Sequence, residues 1–318
     1  MRKLLRCLSW ALLLSLAMAS PVRSDGDAHL LGAYEHIGED GVYEQILTTP
    51  PAPTQNANTV NSNLPAASVL PQAVPPSPSS KPMIAIVIDD VGVDQKRSAR
   101  AVNELNAAVT LSYLAYSSHV LQQVAAAKAH GHEIMLHLPW EADNAKEDPG
   151  PNHLSVSMST EQIQKNLLAN LDGFTGYVGV NNHMGSRFSR YRPGLELVMA
   201  ELQKRHVFYL DSKTTPNSIA EKVAREYNVP TTHRDVFLDH DENSKMVRTS
   251  LEEVEAIARR KGSAVAIGHP KDPTLAAVEA WLPTLETKGF QLVPLTTVIS
   301  YRQMRYDAHM AHLEADKK

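Results

Sequence analysis

Two carboxylates stand side by side at Asp89 and Asp90, directly after the apolar run Ile84-Ala85-Ile86-Val87-Ile88. Adjacent like charges resist joint ionisation unless something positive lies between them. A metal ion, with one Asp as ligand and the other as base, meets that need. A helix N-cap on Asp90 or Asp94 is the plain structural alternative. Further along, His137, His183, Asp211, the triplet Asp239-His240-Asp241 and His269 each end or follow a short apolar run. An Asp with two His, leaving positions open, suits Zn²⁺ or another divalent first-row metal. Such an ion can polarise a carbonyl and acidify a bound water. A free Asp can then take the water's proton, and a further His can protonate the leaving group. That set is what hydrolysis of an amide or ester requires. A single His at a strand end is more often a hydrogen-bonded structural residue; several converging on one rim make a site.

Convergence demands a scaffold that brings distant segments to one place. Strand-like runs cover Met83–Ile88, Val109–Leu114, Glu133–Leu138, Tyr177–Asn181, Val207–Leu210, Val236–Leu238, Ala264–Ile267 and Gln291–Leu295. Helical spacing of apolar residues lies between most of them. It runs from Ser118 to His130, from a Ser159/Gln162 capping box through Leu171, and from Pro193 to Leu202. It recurs from Thr249 or Ser250 to Gly262, and from Asp272-Pro273 to Gly289. The alternation predicts an α/β fold with a mostly parallel sheet, closed as a (β/α) barrel or open and doubly wound. In both, sites form at the C-terminal ends of the strands, where these Asp and His residues fall.

The 318 residues are 43% apolar with a net charge of −4, an ordinary globular composition without the basic footprint of a nucleic-acid binder. Residues 1–19 have the form of a signal peptide: basic Arg2, Lys3 and Arg6, an apolar Leu8–Leu16 core, and Ala17-Met18-Ala19 for cleavage. The only cysteine, Cys7, lies within it, so the mature chain would have no disulfide and no thiolate ligand. Its loss leaves a charge of −7 and no segment apolar enough for a stable membrane span. Export to the periplasm or cell envelope is the expectation. Residues 20–48 form a short acidic segment in which His29 and His36 are solvated, 49–82 a Pro/Ala/Ser-rich linker, 83–300 the barrel, and 301–318 a charged C-terminal tail.

In their order, Val87-Ile88-Asp89-Asp90, Gly131-His132-Glu133-Ile134-Met135-Leu136-His137 and Ile267-Gly268-His269-Pro270 resemble motifs of the polysaccharide deacetylases of the NodB-homology type. More closely they resemble the divergent branch found in bacterial cell envelopes, and the likeness covers residues 82–300. The resemblance implies a distorted (β/α) barrel and metal-dependent removal of N- or O-acetyl groups from a sugar. It makes Asp89 the base, Asp90 a metal ligand, His137 the first ligand histidine and His269 the acid. Four residues after His137 stands Glu141 rather than a second histidine, and the arginine-proline-tyrosine motif of ordinary members is absent. Asn181-Asn182-His183-Met184-Gly185-Ser186 resembles the divergent branch's signature instead, so His183 is inferred to be the third ligand, with Glu141 near the site. Asn182, Arg187 and Asp211 are expected in the second sphere or against substrate, with Asp211 orienting His269 or lining the groove.

The neighbours carry plainer expectations. His132 is structural; Asp239, His240 and Asp241 form a solvated turn rather than a second acidic lip; His233 has no visible partner. Trp140 and Tyr113 stack on sugar or pack in the core. Arg187 meets an anionic substrate or solvent. The combined expectation is an exported deacetylase holding a divalent metal of the Zn²⁺ type and acting on peptidoglycan or another N-acetylated polysaccharide. The alternatives are a non-catalytic envelope-binding or scaffold protein on a degenerate barrel, and a different metal hydrolase, an esterase or phosphodiesterase, on the same rim.

Overall fold

A computed structural model describes residues 81–241 and 243–315. The expected signal peptide, acidic segment and nearly all of the linker, with His29 and His36, lie outside the described residues. The first strand, β1 (Met83–Val91), is the axis of the sheet. Its run of branched apolar residues has no exposed surface from Ile84 to Ile88, as expected of a parallel strand covered on both faces. There follow α1 (Gln95–Glu104), β2 (Thr110–Leu114), α2 (Val120–Ala129), β3 (Ile134–Trp140), α3 (Thr160–Leu171) and β4 (Gly179–Met184). Next come α4 (Arg192–Arg205), β5 (Phe208–Asp211), α5 (Ala220–Glu226), β6 (Thr231–His233), β7 (Val236–Phe237) and α6 (Ser244–Lys261). The chain finishes with β8 (Ser263–Gly268), α7 (Asp272–Trp281), β9 (Gln291–Leu292) and α8 (Leu295–Ala315).

The strands pair in parallel in the order β6-β5-β4-β3-β2-β1-β8-β7, with β9 beside the first residues of β1. The two ends of that order, β6 and β7, are joined by only Arg234 and Asp235. So short a link keeps the two edges near each other without pairing them, and the sheet is a curled half-barrel with helices outside. Arg302 of α8 ties the two edges: Nη1 donates to Thr232 Oγ1 (2.9 Å), Nε to Ser263 Oγ (3.0 Å), and Nη2 pairs with Asp235.

Strand period decides what faces inward. Ile84, Ile86 and Ile88 belong to the large core between sheet and helices, while Ala85 and Val87 belong to a smaller core inside the curl. The inner core also takes Met135, Phe208, Leu210, Val265 and Ile267. Two residues further along their strands, the same faces carry Asp89, His137, Ser212 and His269. The lumen is apolar at the bottom and polar at the C-terminal rim.

Several boundaries differ from those predicted. Helix α6 begins at Ser244 with Asn243 as its cap, a turn and a half before Thr249, because Val247 extends the buried stripe of Leu251, Val254 and Ala258. His183 lies within β4 rather than after it. Helix α5 and strand β6 are too short for their periodicity to show. The Ser159/Gln162 capping box is present at α3. His233 does have a partner: Nδ1 lies 2.8 Å from Glu221 Oε2. Among the described residues, no helix is long and apolar enough to cross a membrane.

Two stability predictions arise here. Burial opposes ionisation of Glu221, but His233 and Arg225 outweigh it and bring its carboxyl down to about 2. A depressed carboxyl stabilises the fold above its ordinary range near 4.5, and that contribution is lost as pH falls toward 2. Glu221→Gln should therefore cost on the order of 1–3 kcal/mol at pH 7 and much less at pH 3 in urea titrations. Gly179 sits opposite Phe208, and a Cβ there would come within 2.3 Å of its ring. Gly179→Ala should cost about 1–3 kcal/mol by the same measurement.

Candidate active site

Asp90 departs from the alternation that places Asp89 inside. By period alone it would point outward with Ile88. The ladder between β1 and β2 shifts register between Ile88 and Val91, and Asp90 adopts φ 55°. A bulge of this kind re-aims a side chain, and Asp tolerates the left-handed region better than most residues. Asp90 Oδ1 thereby comes within 2.9 Å of His183 Nδ1 and 3.3 Å of His137 Nε2. The two imidazole nitrogens are 3.2 Å apart.

These three atoms fit a metal. Ligand atoms at the corners of a tetrahedron around Zn²⁺, with bonds of about 2.0–2.1 Å, lie about 3.3 Å from one another. The observed edges of 2.9, 3.2 and 3.3 Å match that spacing. Asp90 Oδ1 is buried and completes no hydrogen bond of acceptable geometry, despite its close neighbours. Among the described residues, Asp90, His137 and His183 are the one group of metal-binding side chains whose ligand atoms converge in this way. Burial opposes the charge on Asp90, yet the imidazoles of His183, His137 and His269 prevail and hold its carboxyl well below the usual range. His137 shifts the other way: burial disfavours its cation, but Asp89 and Asp90 raise it.

Asp89 is 2% exposed, and its Oδ2 lies 3.7 Å from His137 Nε2. Burial dominates here and raises its carboxyl, against the pull of His137, His269 and Asn181. His269 stands on the other side, with Nε2 3.7 Å from Asp90 Oδ2. Its Nδ1 meets Asp239 Oδ1 at 2.9 Å, and its backbone N–H donates to Asp239 Oδ2 at 2.7 Å. Thr274 Oγ1 donates to the same Oδ2 at 2.9 Å. Burial pulls the His269 imidazole down, but Asp239, Asp90 and Asp89 push it up to about 9. The rim thus combines three converging ligand atoms, a buried carboxylate on one side and a protonated imidazole on the other.

The remaining predicted residues are distributed differently. Glu141 does not approach the ligands. Its Oε2 accepts from Ser155 Oγ (2.7 Å) and Val156 N–H (2.8 Å), and Oε1 pairs with Arg187 at 3.0 Å, so it ties two rim loops together. That pairing also accounts for the half-exposed Arg187. Asn182 faces outward on β4, where its Oδ1 accepts from Tyr209 Oη (2.9 Å) and Ser212 N–H (3.1 Å). Asp211 does not orient His269; it accepts from Lys213 N–H and Ser218 Oγ. The orienting carboxylate is Asp239, which is 2% exposed and no part of a solvated turn. Trp140 and Tyr113 are fully buried in the core, so neither can stack on a ligand. His132 bonds the backbone oxygens of Val109 and Val102 and is structural.

The sequence does not mark Ser112, and it marks Asn181 and Ser212 only inside longer stretches, yet all three reach the site from inward positions. Period two from His183 and from Leu210 would have placed Asn181 and Ser212 on that face. Asp239 had a signal too, since it follows an apolar run as the ligands do.

Comparison with known proteins places the chain in a family. A family model described as divergent polysaccharide deacetylase matches residues 86–299. Uncharacterized protein YibQ of Escherichia coli K12 is 32% identical over 203 residues, which cover 64% of this chain and 63% of its own length. An uncharacterized protein of Haemophilus influenzae is 33% identical over 211 residues, or 66% of this chain and 74% of its own. The crystal structure of uncharacterized protein ATU2773 from Agrobacterium tumefaciens C58 superposes with a TM-score of 0.68 at 28% identity, covering 71% of this chain and 93% of that one. The chain belongs to the divergent polysaccharide deacetylase family.

Proposed function

We propose that the protein is a metal-dependent hydrolase that removes acetyl groups from a glycan of the cell envelope. The observation that carries this reading is the convergence of Asp90, His137 and His183 between a buried carboxylate and an imidazole locked by Asp239. Family membership supplies the glycan.

Asp90, His137 and His183 would hold a divalent ion of the Zn²⁺ type. When bound, such an ion supplies a polarised acetyl carbonyl and a water of lowered pKa. Asp89, buried and raised, accepts a proton from the attacking water. His269 is protonated below about pH 9 and presents Nε2 to the rim, because Nδ1 is held by Asp239. It gives its proton to the departing amine nitrogen as the C–N bond breaks. The new C–O bond leaves acetate and a free amino sugar; on an O-acetyl group the same steps release an alcohol.

Export belongs to the same proposal, on the strength of the 1–19 pattern. Mass spectrometry of the protein recovered from cells should find a chain beginning at Ser20. The activity is tested by acetate release from N-acetylated oligosaccharides and peptidoglycan fragments, with and without a chelator. Chelator-sensitive release supports the reading. No release from any such substrate by metal-loaded protein would overturn it in favour of a binding or scaffold role. Selective turnover of aryl esters or phosphodiesters would point to a different metal hydrolase.

A further inference from the structure

We propose that Asn181 is a positioning residue that couples the metal centre to the base, fixing the tautomer of His137 and the orientation of Asp89 through one side chain. The inference rests on the metal-centre reading above. Asn181 has no exposed surface, and every hydrogen-bonding capacity of its amide is used. Oδ1 accepts from Ser112 Oγ at 2.6 Å and faces His137 Nδ1 at 3.0 Å. Nδ2 donates to both oxygens of Asp89, at 2.8 and 2.9 Å, and to Ser212 Oγ at 3.1 Å.

The amide cannot be turned over. A flip would set Oδ1 against both oxygens of the Asp89 carboxylate, which accept and do not donate. With Oδ1 committed as acceptor, Nδ1 of His137 must carry hydrogen. The lone pair of a neutral His137 is then on Nε2, the atom 3.3 Å from Asp90 Oδ1 and 3.2 Å from His183 Nδ1. A ligating histidine is oriented in this way by the acceptor its other nitrogen finds. The same amide's N–H groups hold Asp89 in place beside that ligand. Ser112 on β2 and Ser212 after β5 complete the amide's hydrogen bonds from either side, while Asp89 sets which way it faces.

Only a carboxamide does both tasks, which gives a split test. Asp at position 181 can still accept from His137 Nδ1 but places a second carboxylate against Asp89, so that the two share a proton and the base is lost. Ala does neither. The readouts are Zn²⁺ affinity by competition with a chromophoric chelator, the His137 tautomer by ¹⁵N imidazole NMR, acetate release at saturating Zn²⁺, and thermal unfolding to confirm the fold. Asn181→Ala is expected to weaken Zn²⁺ binding about 10–100-fold and to lower turnover. Asn181→Asp is expected to keep Zn²⁺ affinity within about threefold and Nδ1–H on His137, yet lose about 100-fold or more in turnover. If Asn181→Ala does not fold, Asn181→Asp and Ser112→Ala carry the test, the latter weakening Zn²⁺ binding in the same direction. Unchanged affinity and tautomer in Asn181→Ala, or equal loss of metal in both Asn181 variants, would overturn the proposal. Should wild-type protein release no acetate at all, the affinity and NMR readouts still decide the role of Asn181 toward His137.

Discussion

Asp90→Asn is expected to weaken Zn²⁺ binding by at least about 100-fold and to lower acetate release by about 1,000-fold or more. Asn is the informative replacement because Asp90 has φ 55°, a conformation Asn also tolerates. Ala there would add about 1–2 kcal/mol of backbone cost and confuse a lost ligand with a strained strand. The substitution removes the negative charge that offsets the ion, and it leaves His137 Nε2 and His183 Nδ1 with a neutral third partner. A metal supplies several kcal/mol of charge stabilisation to the reacting carbonyl, and each 1.36 kcal/mol is tenfold in rate. His183→Ala should fail in the same way, since His183 Nδ1 is 2.9 Å from the same carboxylate oxygen. Metal content by atomic emission, taken with thermal unfolding on one preparation, separates loss of the ion from loss of the fold. Unchanged metal content in both variants would exclude these residues as ligands.

The second large effect belongs to the other side of the rim. His269→Ala should lower turnover of an N-acetyl sugar by about 100- to 10,000-fold while leaving metal affinity unchanged, because the proposed mechanism has His269 act on the leaving group and not on the metal. An aryl acetate, whose phenolate departs unaided, should lose far less. Asp239→Asn tests the cause of the His269 shift. Burial alone lowers that imidazole, and Asp239 is the foremost reason it stands at about 9. A general acid works only while protonated, so activity should fall as pH rises through the titration of His269 in the wild type. Without the charge of Asp239 the same fall should come at lower pH. A variant whose alkaline limb does not move would show that another group sets it.

Much of this site was legible from residue order alone. The apolar run before Asp89 marked a buried strand, and the recurrence of Asp or His after similar runs marked one rim. His137 on β3 and His183 on β4 sit where strand alternation places them. The aim of Asp90 was not legible in that way, because a register shift and a left-handed residue override the alternation that would have turned it outward. Asn181 stands in the sequence only as part of a longer motif and Ser212 only as the neighbour of Asp211, because polar residues without charge carry little signal of their own, although period two puts both inside. Asp239 was taken for solvated because it adjoins His240 and Asp241, both exposed; its burial depends on Thr274 and the backbone of His269, some thirty residues on. Glu141 is expected near the site from its spacing to His137, but the turn after β3 directs it to Ser155, Val156 and Arg187.

The most direct test of the central claim is a titration of metal-free protein with Zn²⁺, following acetate release from an N-acetylated oligosaccharide at each addition. Activity absent at the start, rising in proportion to added metal and levelling at one ion per chain is the expected result. Acetate release that is independent of metal, or protein that takes up one ion per chain and still leaves the acetyl groups in place, would contradict it.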